Sequence, residues 1–207
     1  MNGQMKSKPW LPYVAPFAIY GLFLLVQSPQ NLVWVYPLKT IAVAVTLVYF
    51  WRQYDELRPR LSVLGVVVGL VAIAIWIAID PYYPKWGGAD AFDPSGKWFF
   101  IVCRVVGAVA VVPVMEELFW RAFFIRALAD HDFKRVPVGT FTWPSFAITV
   151  VLFGAEHREW LAGFVCGALY NWLLYKRKDV FSCVVAHAVS NAALAAWVLA
   201  RGDWKFW

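Results

Sequence analysis

Three short groups of polar residues lie inside strongly apolar parts of the 207-residue chain. The groups are Glu116-Glu117-x-x-x-Arg121, Phe153-x-x-x-His157 and His187-x-x-x-Asn191. Carboxylates and imidazoles are the side chains that most often move protons in enzymes. A charged side chain in the middle of a bilayer costs at least about 2.5–3.5 kcal/mol on insertion scales, so ionisable residues within apolar helices are candidates for function.

The first group places its two carboxylates in different surroundings. Glu117 and Arg121 are four residues apart, so they share one face of a helix and can pair. Glu116 points about 100° away around the helix and has no cation near it in the sequence. A desolvated, unpaired carboxylate can act as a general base that takes a proton from water and returns it to a leaving amine. A salt bridge at the cytoplasmic end of a helix is the structural alternative.

The second and third groups supply hydrogen-bond donors. His157 follows Phe153 by one helical turn, and His187 shares a helix face with Asn191. The N–H groups of a neutral imidazole and of a carboxamide can stabilise a developing oxyanion. Packing of a buried histidine and hydrogen bonding between membrane helices are the alternatives for these pairs.

The helices that carry the three groups must bring them to one depth for a common site to form. At 1.5 Å per residue, Glu116, His157 and His187 lie roughly 14–20 Å from the predicted cytoplasmic ends of their helices. Packing residues have no reason to agree in depth. The sequence therefore predicts that the three groups converge in one buried site.

Composition indicates that these helices lie in a membrane. Of the residues, 61% are hydrophobic and 15% are charged, whereas soluble domains have roughly 25% charged residues. The chain is predicted to be all-α, a polytopic membrane helix bundle with about seven transmembrane helices. It forms a single integral membrane domain over residues 1–207, with the motif-bearing core at about 97–200. The predicted helices are 10–26, which we interpret as a retained first helix, 32–51, 61–79, 98–128, 144–156, 160–175 and 180–199.

The basic residues predict the orientation. Loops on the N-terminal side hold eleven Lys and Arg, whereas those on the other side hold five, which favours a cytoplasmic N-terminus and an external C-terminus. This placement also accounts for the net charge of +6, so membrane lipid is expected as a partner and nucleic acid is not. Lys39 and Arg104 lie near predicted helix starts, from which they are expected to reach the interface. The three cysteines are expected to be packing residues, because they form no CxxC pair.

Taken together and in this order, the three groups resemble the three motifs of the CPBP family. That family includes the type II CAAX prenyl endopeptidases and the bacteriocin-processing and immunity proteins. The resemblance covers about residues 109–195, and the small size resembles the CAAX-protease-related proteins associated with bacterial exosortase systems. It implies an intramembrane endopeptidase in the bacterial inner (plasma) membrane. Its substrates would be membrane-anchored proteins or peptides, among them prenylated CAAX-type proteins, cut near their C-terminus without an acyl-enzyme.

The resemblance also implies a role for each motif residue. Glu116 would activate the attacking water, and His157 would help to position or activate it. His187 and Asn191 would form the oxyanion hole. The residues that would support this geometry are Glu117, Arg121 and Phe153.

Other functions and a metal remain as alternatives. A non-catalytic membrane scaffold or immunity protein of the same fold would use the polar core as structural glue, and a proton-coupled transporter would use it as a relay. No cofactor is required by the reaction, although Glu116, His157 and His187 could bind zinc. Ser182 and Ser190 lack the GxSxG context of a nucleophilic serine.

Overall fold

The computed structural model describes residues 8–60, 62–87 and 92–207. Within these ranges the chain is all-helical, with seven helices and several 3₁₀ turns but no strand. The helices are α1 (Leu11–Val26), α2 (Leu32–Tyr49), α3 (Val63–Ile79), α4 (Trp98–Ala127), α5 (Trp143–Ala155), α6 (Trp160–Arg177) and α7 (Val180–Arg201). Their ends agree with the predicted ones to within two residues, except that residue 61, the predicted start of the third helix, lies outside the described residues.

Four segments of the described chain are long and apolar enough to cross a membrane. They are Leu32–Tyr49, Val63–Tyr82, Trp98–Ala127 and Val180–Arg201. Helices α1 and α5 are apolar as well but shorter, with 16 and 13 residues. The all-α fold class is thus confirmed, and the protein is an integral membrane protein.

Local sequence signals set the limits of the motif-bearing helices. Thr142 caps the start of α5, where its side chain accepts a hydrogen bond from the Ser145 backbone N–H. Asp179 caps α7 by accepting hydrogen bonds from the backbone N–H groups of Phe181 and Ser182. Side-chain oxygens at these positions satisfy donors that have no partner inside the helix. The first turns of α5 and α7 are therefore fixed.

Helix α4 is continuous but irregular. Two of its stretches, Gly107–Val111 and Leu118–Phe124, are wound as π-helix. Pro113 lies just after the first stretch and has no backbone N–H to donate, which disturbs the regular α-helical ladder. Wide turns of this kind are frequent at functional sites, and Glu116 lies between the two.

Close contacts between helices bring the motifs together. Helices α5 and α6 form a hairpin in which a Cβ added at Gly154 would lie 1.7 Å from a ring carbon of Phe164. Helix α3 packs against α6 and α7, and a Cβ at Gly69 would lie 2.3 Å from the Ala186 carbonyl oxygen. Only glycine permits these approaches. The pair α1–α2 packs beside α4 and closes the bundle.

A group of polar and charged residues joins four segments of the chain at the end of the bundle where α1 begins. This group, the basal cluster, comprises Tyr13, Glu56, Arg126 and Lys134. Glu56 Oε2 accepts a hydrogen bond from Tyr13 at 2.7 Å, while Oε1 pairs with Arg126 and lies 3.3 Å from Lys134 Nζ. Burial by itself would raise the pKa of Glu56. The hydrogen bond from Tyr13 and the charges of Arg126 and Lys134 outweigh that effect and hold this pKa below its ordinary value.

Candidate active site

The three predicted groups lie around one cavity of about 560 Å³. Glu116 comes from α4, His157 from the turn after α5, and His187 and Asn191 from α7; all four line the cavity. The predicted convergence of the motifs is thus seen in the structure. From these residues the cavity extends toward the opposite end of the bundle from the basal cluster, where Gln27, Arg158 and Trp207 line it.

Glu117 helps to hold the site together through one carboxylate oxygen, Oε1, while its Oε2 has no hydrogen-bond partner among the described residues. It is completely buried, and its Oε1 accepts hydrogen bonds from Arg121 Nη1 at 3.2 Å and from His187 Nδ1 at 2.9 Å. Arg121 also donates from Nε to Asn171 Oδ1 at 3.2 Å, and its guanidinium lies 4.4 Å from the Phe153 ring. The predicted Glu117–Arg121 pair is therefore present. It connects α4 to α5, α6 and α7.

Glu116 has no such partners, although it is the next residue along the chain. It is 6% exposed, and its Oε2 is buried without a hydrogen-bond partner among the described residues. His187 Nε2 lies 4.0 Å away, which is too far for a direct hydrogen bond. A buried carboxyl group without a partner is costly. It is also free to bind a water molecule or a substrate group in the cavity.

Glu156 also lines the cavity, although no role was predicted for it from the sequence. Its Oε1 accepts a hydrogen bond from Trp120 Nε1 at 3.1 Å. Ligand atoms of Glu116, Glu156 and His157 all lie within 4.8 Å of one another. The signal that could have identified it was a carboxylate beside His157 at the end of an apolar helix.

The structure brings together a different set of possible metal ligands from the one expected. Glu156 takes the place that the sequence analysis gave to His187, whose Nδ1 is held by Glu117. His157 Nδ1 contacts the Phe153 carbonyl oxygen at 2.7 Å. This contact orients the ring in the way common for histidines that bind a metal through Nε2. Two carboxylates and an imidazole suit zinc, so Glu116, Glu156 and His157 fit such an ion.

Asn191 and the two serines differ in the hydrogen bonds that they have left to make. Asn191 Nδ2 donates to the Ala108 carbonyl oxygen on α4 at 2.7 Å, which uses one of its two N–H groups. Ser190 Oγ contacts Tyr170 Oη at 2.7 Å and donates to the His187 carbonyl oxygen at 2.9 Å. Ser182 Oγ donates to Asp179 at 2.6 Å. The serines hold local structure, whereas Asn191 keeps a donor for the cavity.

Lys39 corrects one expectation. It was predicted to reach the membrane interface, but its side chain is 1% exposed and lines the same cavity as Glu116. Arg104 lines the cavity as well. Lys39 therefore lies inside the bundle, whereas Arg104 is half-buried.

Comparison with known proteins gives one match. Residues 97–193 match the family described as "Type II CAAX prenyl endopeptidase Rce1-like". The matched segment contains all three motifs. The resemblance to the CPBP family, inferred from the residues of those motifs, is therefore confirmed over this part of the chain. Neither a curated protein nor a solved structure matches the chain. The match indicates a protease, and helices α1 to α3 lie outside it.

Proposed function

Because residues 97–193 are Rce1-like, we propose that the protein is an intramembrane endopeptidase. It cleaves membrane-anchored proteins or peptides near their C-terminus, with prenylated CAAX-type proteins as one substrate class. The observation that carries this proposal is the contrast between adjacent glutamates: Glu117 accepts hydrogen bonds from Arg121 and His187 through its Oε1, whereas Glu116 accepts none from the described residues and lines the cavity. A carboxylate kept unpaired at such a cost suits a general base.

The reaction proceeds by attack of water. Glu116 takes a proton from a water molecule as the oxygen forms a bond to the carbonyl carbon of the substrate. The resulting oxyanion accepts hydrogen bonds from the free N–H of Asn191 and from His187. Glu116 then returns the proton to the nitrogen as the C–N bond breaks, giving a carboxylic acid and an amine. His157 positions the attacking water beside Glu116.

His187 is held in place for this role by Glu117. Its Nδ1 lies 2.9 Å from Glu117 Oε1. Its Nε2 lies 4.0 Å from Glu116 Oε2, on the side of the ring that lines the cavity.

The proposed reaction needs no cofactor. If zinc binds, Glu116, Glu156 and His157 would hold it, and the ion would supply Lewis-acid polarisation of water or of a carbonyl group. We expect metal-free protein, prepared with a chelator and checked by elemental analysis, to keep its activity. Loss of activity that returns with added zinc would contradict the metal-free proposal.

Location follows from the basic loops and from the bundle. We propose the bacterial inner membrane, with a cytoplasmic N-terminus. The cavity then extends from the catalytic residues toward the external side, where Gln27 and Trp207 line it. Lipid and a membrane-anchored substrate are the expected partners, and nucleic acid is not.

The test compares membrane-protein termini in host cells that carry either the wild-type protein or Glu116→Gln. A specific new terminus is expected with the wild type and is expected to be absent with the variant. Asp130→Asn, which changes an exposed loop carboxylate, serves as a control that keeps cleavage. Detergent monodispersity of each form establishes that it is folded. If well-folded wild type and Glu116→Gln give the same termini, the scaffold or immunity function replaces the protease.

A further inference from the structure

A second cavity lies at the end of the bundle where α1 begins, apart from the one that contains Glu116. This basic cavity has a volume of about 370 Å³, which is within the range of sites that bind small molecules. Five cations and three carboxylates line it, and they come from the α2–α3 loop, the end of α4, the α4–α5 loop and the α6–α7 turn. The proposed reaction uses none of them.

The carboxylates of the basic cavity already have partners. Glu56 Oε1 pairs with Arg126 and lies 3.3 Å from Lys134 Nζ. Asp55 Oδ2 lies 3.8 Å from that same Lys134 Nζ. Asp179 accepts the capping hydrogen bonds at the start of α7. The three carboxylates are thus committed to the fold, and two of the five cations are committed with them.

The remaining cations, Arg58, Arg60 and Lys178, have no carboxylate partner. Among the described residues, none of the three forms a salt bridge, and Arg58 donates from Nε to the Asp55 carbonyl oxygen at 3.3 Å. All three are exposed, so a ligand can reach them. Three cations around one cavity favour an anion that accepts several charge-assisted hydrogen bonds, as a phosphate group does.

The backbone of Lys178 is strained. Its φ of 50° and ψ of 42° are left-handed, and it is the one residue other than glycine with a positive φ in the part of the chain that the structure describes. Helices commonly end with glycine in this conformation, because a Cβ is unfavourable there. A lysine kept at such a position indicates a function for its side chain.

Packing sets the position of the Lys178 side chain at the basic cavity. A Cβ added at Gly139 would lie 3.0 Å from Lys178 Cγ and 3.1 Å from the Leu174 carbonyl oxygen. Because Gly139 has no side chain, the α4–α5 loop can lie directly against the stem of Lys178. The same loop supplies Lys134 to the cavity. Lys178 is therefore held beside the loop.

Exposed tryptophans place the basic cavity at the membrane surface. Trp51, directly after α2, is 57% exposed, and Trp143, at the start of α5, is 71% exposed. Tryptophan is enriched at the level of the lipid headgroups. The α2–α3 loop follows Trp51 and the α4–α5 loop precedes Trp143. The cavity that these loops line therefore lies beside the headgroups.

We infer that the basic cavity binds the phosphate group of an anionic phospholipid, with Arg58, Arg60 and Lys178 as its ligands. A soluble phosphate offers the same oxygens, but only a lipid is held at this depth by its acyl chains, and anionic lipids attract cations near the membrane surface. The Rce1-like segment includes Lys178 but neither arginine, so the lipid joins the α2–α3 loop to the motif-bearing core. None of the three cations lines the cavity of Glu116, and the inference does not depend on the proposed proteolysis.

The experiment compares two lipids that share a phosphate group. Phosphatidylglycerol has a net negative charge, whereas the choline of phosphatidylcholine balances the charge of its phosphate. Each lipid is titrated into the full-length wild-type protein in detergent micelles, and the lipid-bound species are quantified by native mass spectrometry. Phosphatidylglycerol is expected to bind at least about tenfold more tightly, because each cation near the surface adds to the attraction.

Paired variants connect this preference to the basic cavity. The double variant Arg60→Gln, Lys178→Gln is expected to reduce the preference for phosphatidylglycerol to less than about twofold. The double variant Lys176→Gln, Arg177→Gln is the matched control. It removes the same charge from two exposed residues beside Lys178 that do not line the cavity, and it should keep the preference. Thermal unfolding of each variant checks its fold.

A further variant separates binding by Lys178 from a contribution of Lys178 to the fold. Lys178→Gly removes the cation and relieves the strain, because glycine adopts a positive φ readily. The variant is expected to bind phosphatidylglycerol more weakly while its unfolding midpoint without lipid rises. A lower midpoint with unchanged lipid affinity would show that Lys178 serves the fold and not the ligand.

Three other outcomes would also overturn the inference. In the first, wild type binds the two lipids equally. In the second, the Lys176→Gln, Arg177→Gln control loses the preference as fully as the cavity variant does, so that general surface charge accounts for it. In the third, inorganic phosphate raises the unfolding midpoint of the wild type but not that of Arg60→Gln, Lys178→Gln, so that a soluble phosphate replaces the lipid. Cleavage in cells is measured separately and bears only on the protease.

Discussion

The basal cluster and the cavity differ in whether their buried ionisable side chains have partners. In the basal cluster, Glu56 has a hydrogen bond from Tyr13 and two cations as partners. In the cavity, Glu116 Oε2 has no hydrogen-bond partner among the described residues, and Lys39 donates to the neutral Gln27 side chain and has no salt-bridge partner among them. Paired charges join elements of the fold. Unpaired buried charges cost stability, so their presence requires a function.

Both kinds of side chain occur at adjacent positions, because Glu117 has partners and Glu116 does not. Like Glu56 in the basal cluster, Glu117 has partners, since Arg121 and His187 both donate hydrogen bonds to it. Yet it is adjacent in the chain to Glu116, the proposed general base. Stability measurements can therefore separate a supporting carboxylate from a reacting one.

The largest loss of stability is expected from Arg121→Met. The change leaves Glu117 as a buried charge without its main cation, which typically costs about 3–5 kcal/mol. The free energy of unfolding is measured by denaturant titration in detergent micelles. The double variant Glu117→Gln, Arg121→Met should lose less than the sum of the two single changes. Strict additivity would show that Glu117 and Arg121 are not coupled. The distinction between paired and unpaired buried charges would then be wrong for this pair.

A smaller loss, about 2 kcal/mol at neutral pH, is expected from Glu56→Gln. The lowered pKa of Glu56 means that this carboxylate stabilises the fold above its ordinary pKa, near 4.3. That contribution disappears as the pH falls through the lowered value of the folded state. Unfolding midpoints of wild type and variant, measured from pH 7 to pH 3, should therefore converge at the acid end. A constant difference at every pH would exclude Glu56 as the source.

The smallest effect on stability is expected from Glu116→Gln. A neutral amide replaces a buried carboxyl group that has no partner, so the unfolding free energy should change by less than about 0.5 kcal/mol or rise slightly. Activity is nevertheless expected to disappear. The same denaturant titration measures the change. A loss greater than about 2 kcal/mol would place Glu116 with the structural charges, and the contrast between the two regions would no longer hold.

Sequence reasoning succeeded where short-range rules apply. Hydropathy gave the seven helices, and the four-residue spacing of Glu117 and Arg121 gave their pair. It missed contacts between residues distant in the chain, such as Glu56 with Arg126, because nothing local indicates which helix ends meet. For the same reason, the positions of Glu156 and Lys39 in the cavity could not be predicted. These positions depend on a cavity that exists only after α1, α2 and α4 pack together.

The shortness of α5 has a consequence for how the site obtains water. Its 13 residues extend about 20 Å, less than the roughly 30 Å thickness of the hydrocarbon layer. The turn that carries Glu156 and His157 therefore lies at membrane depth. Non-helical backbone is tolerated there only inside protein or along a hydrated space. The cavity of about 560 Å³ beside this turn is the space from which the proposed hydrolysis would draw its water.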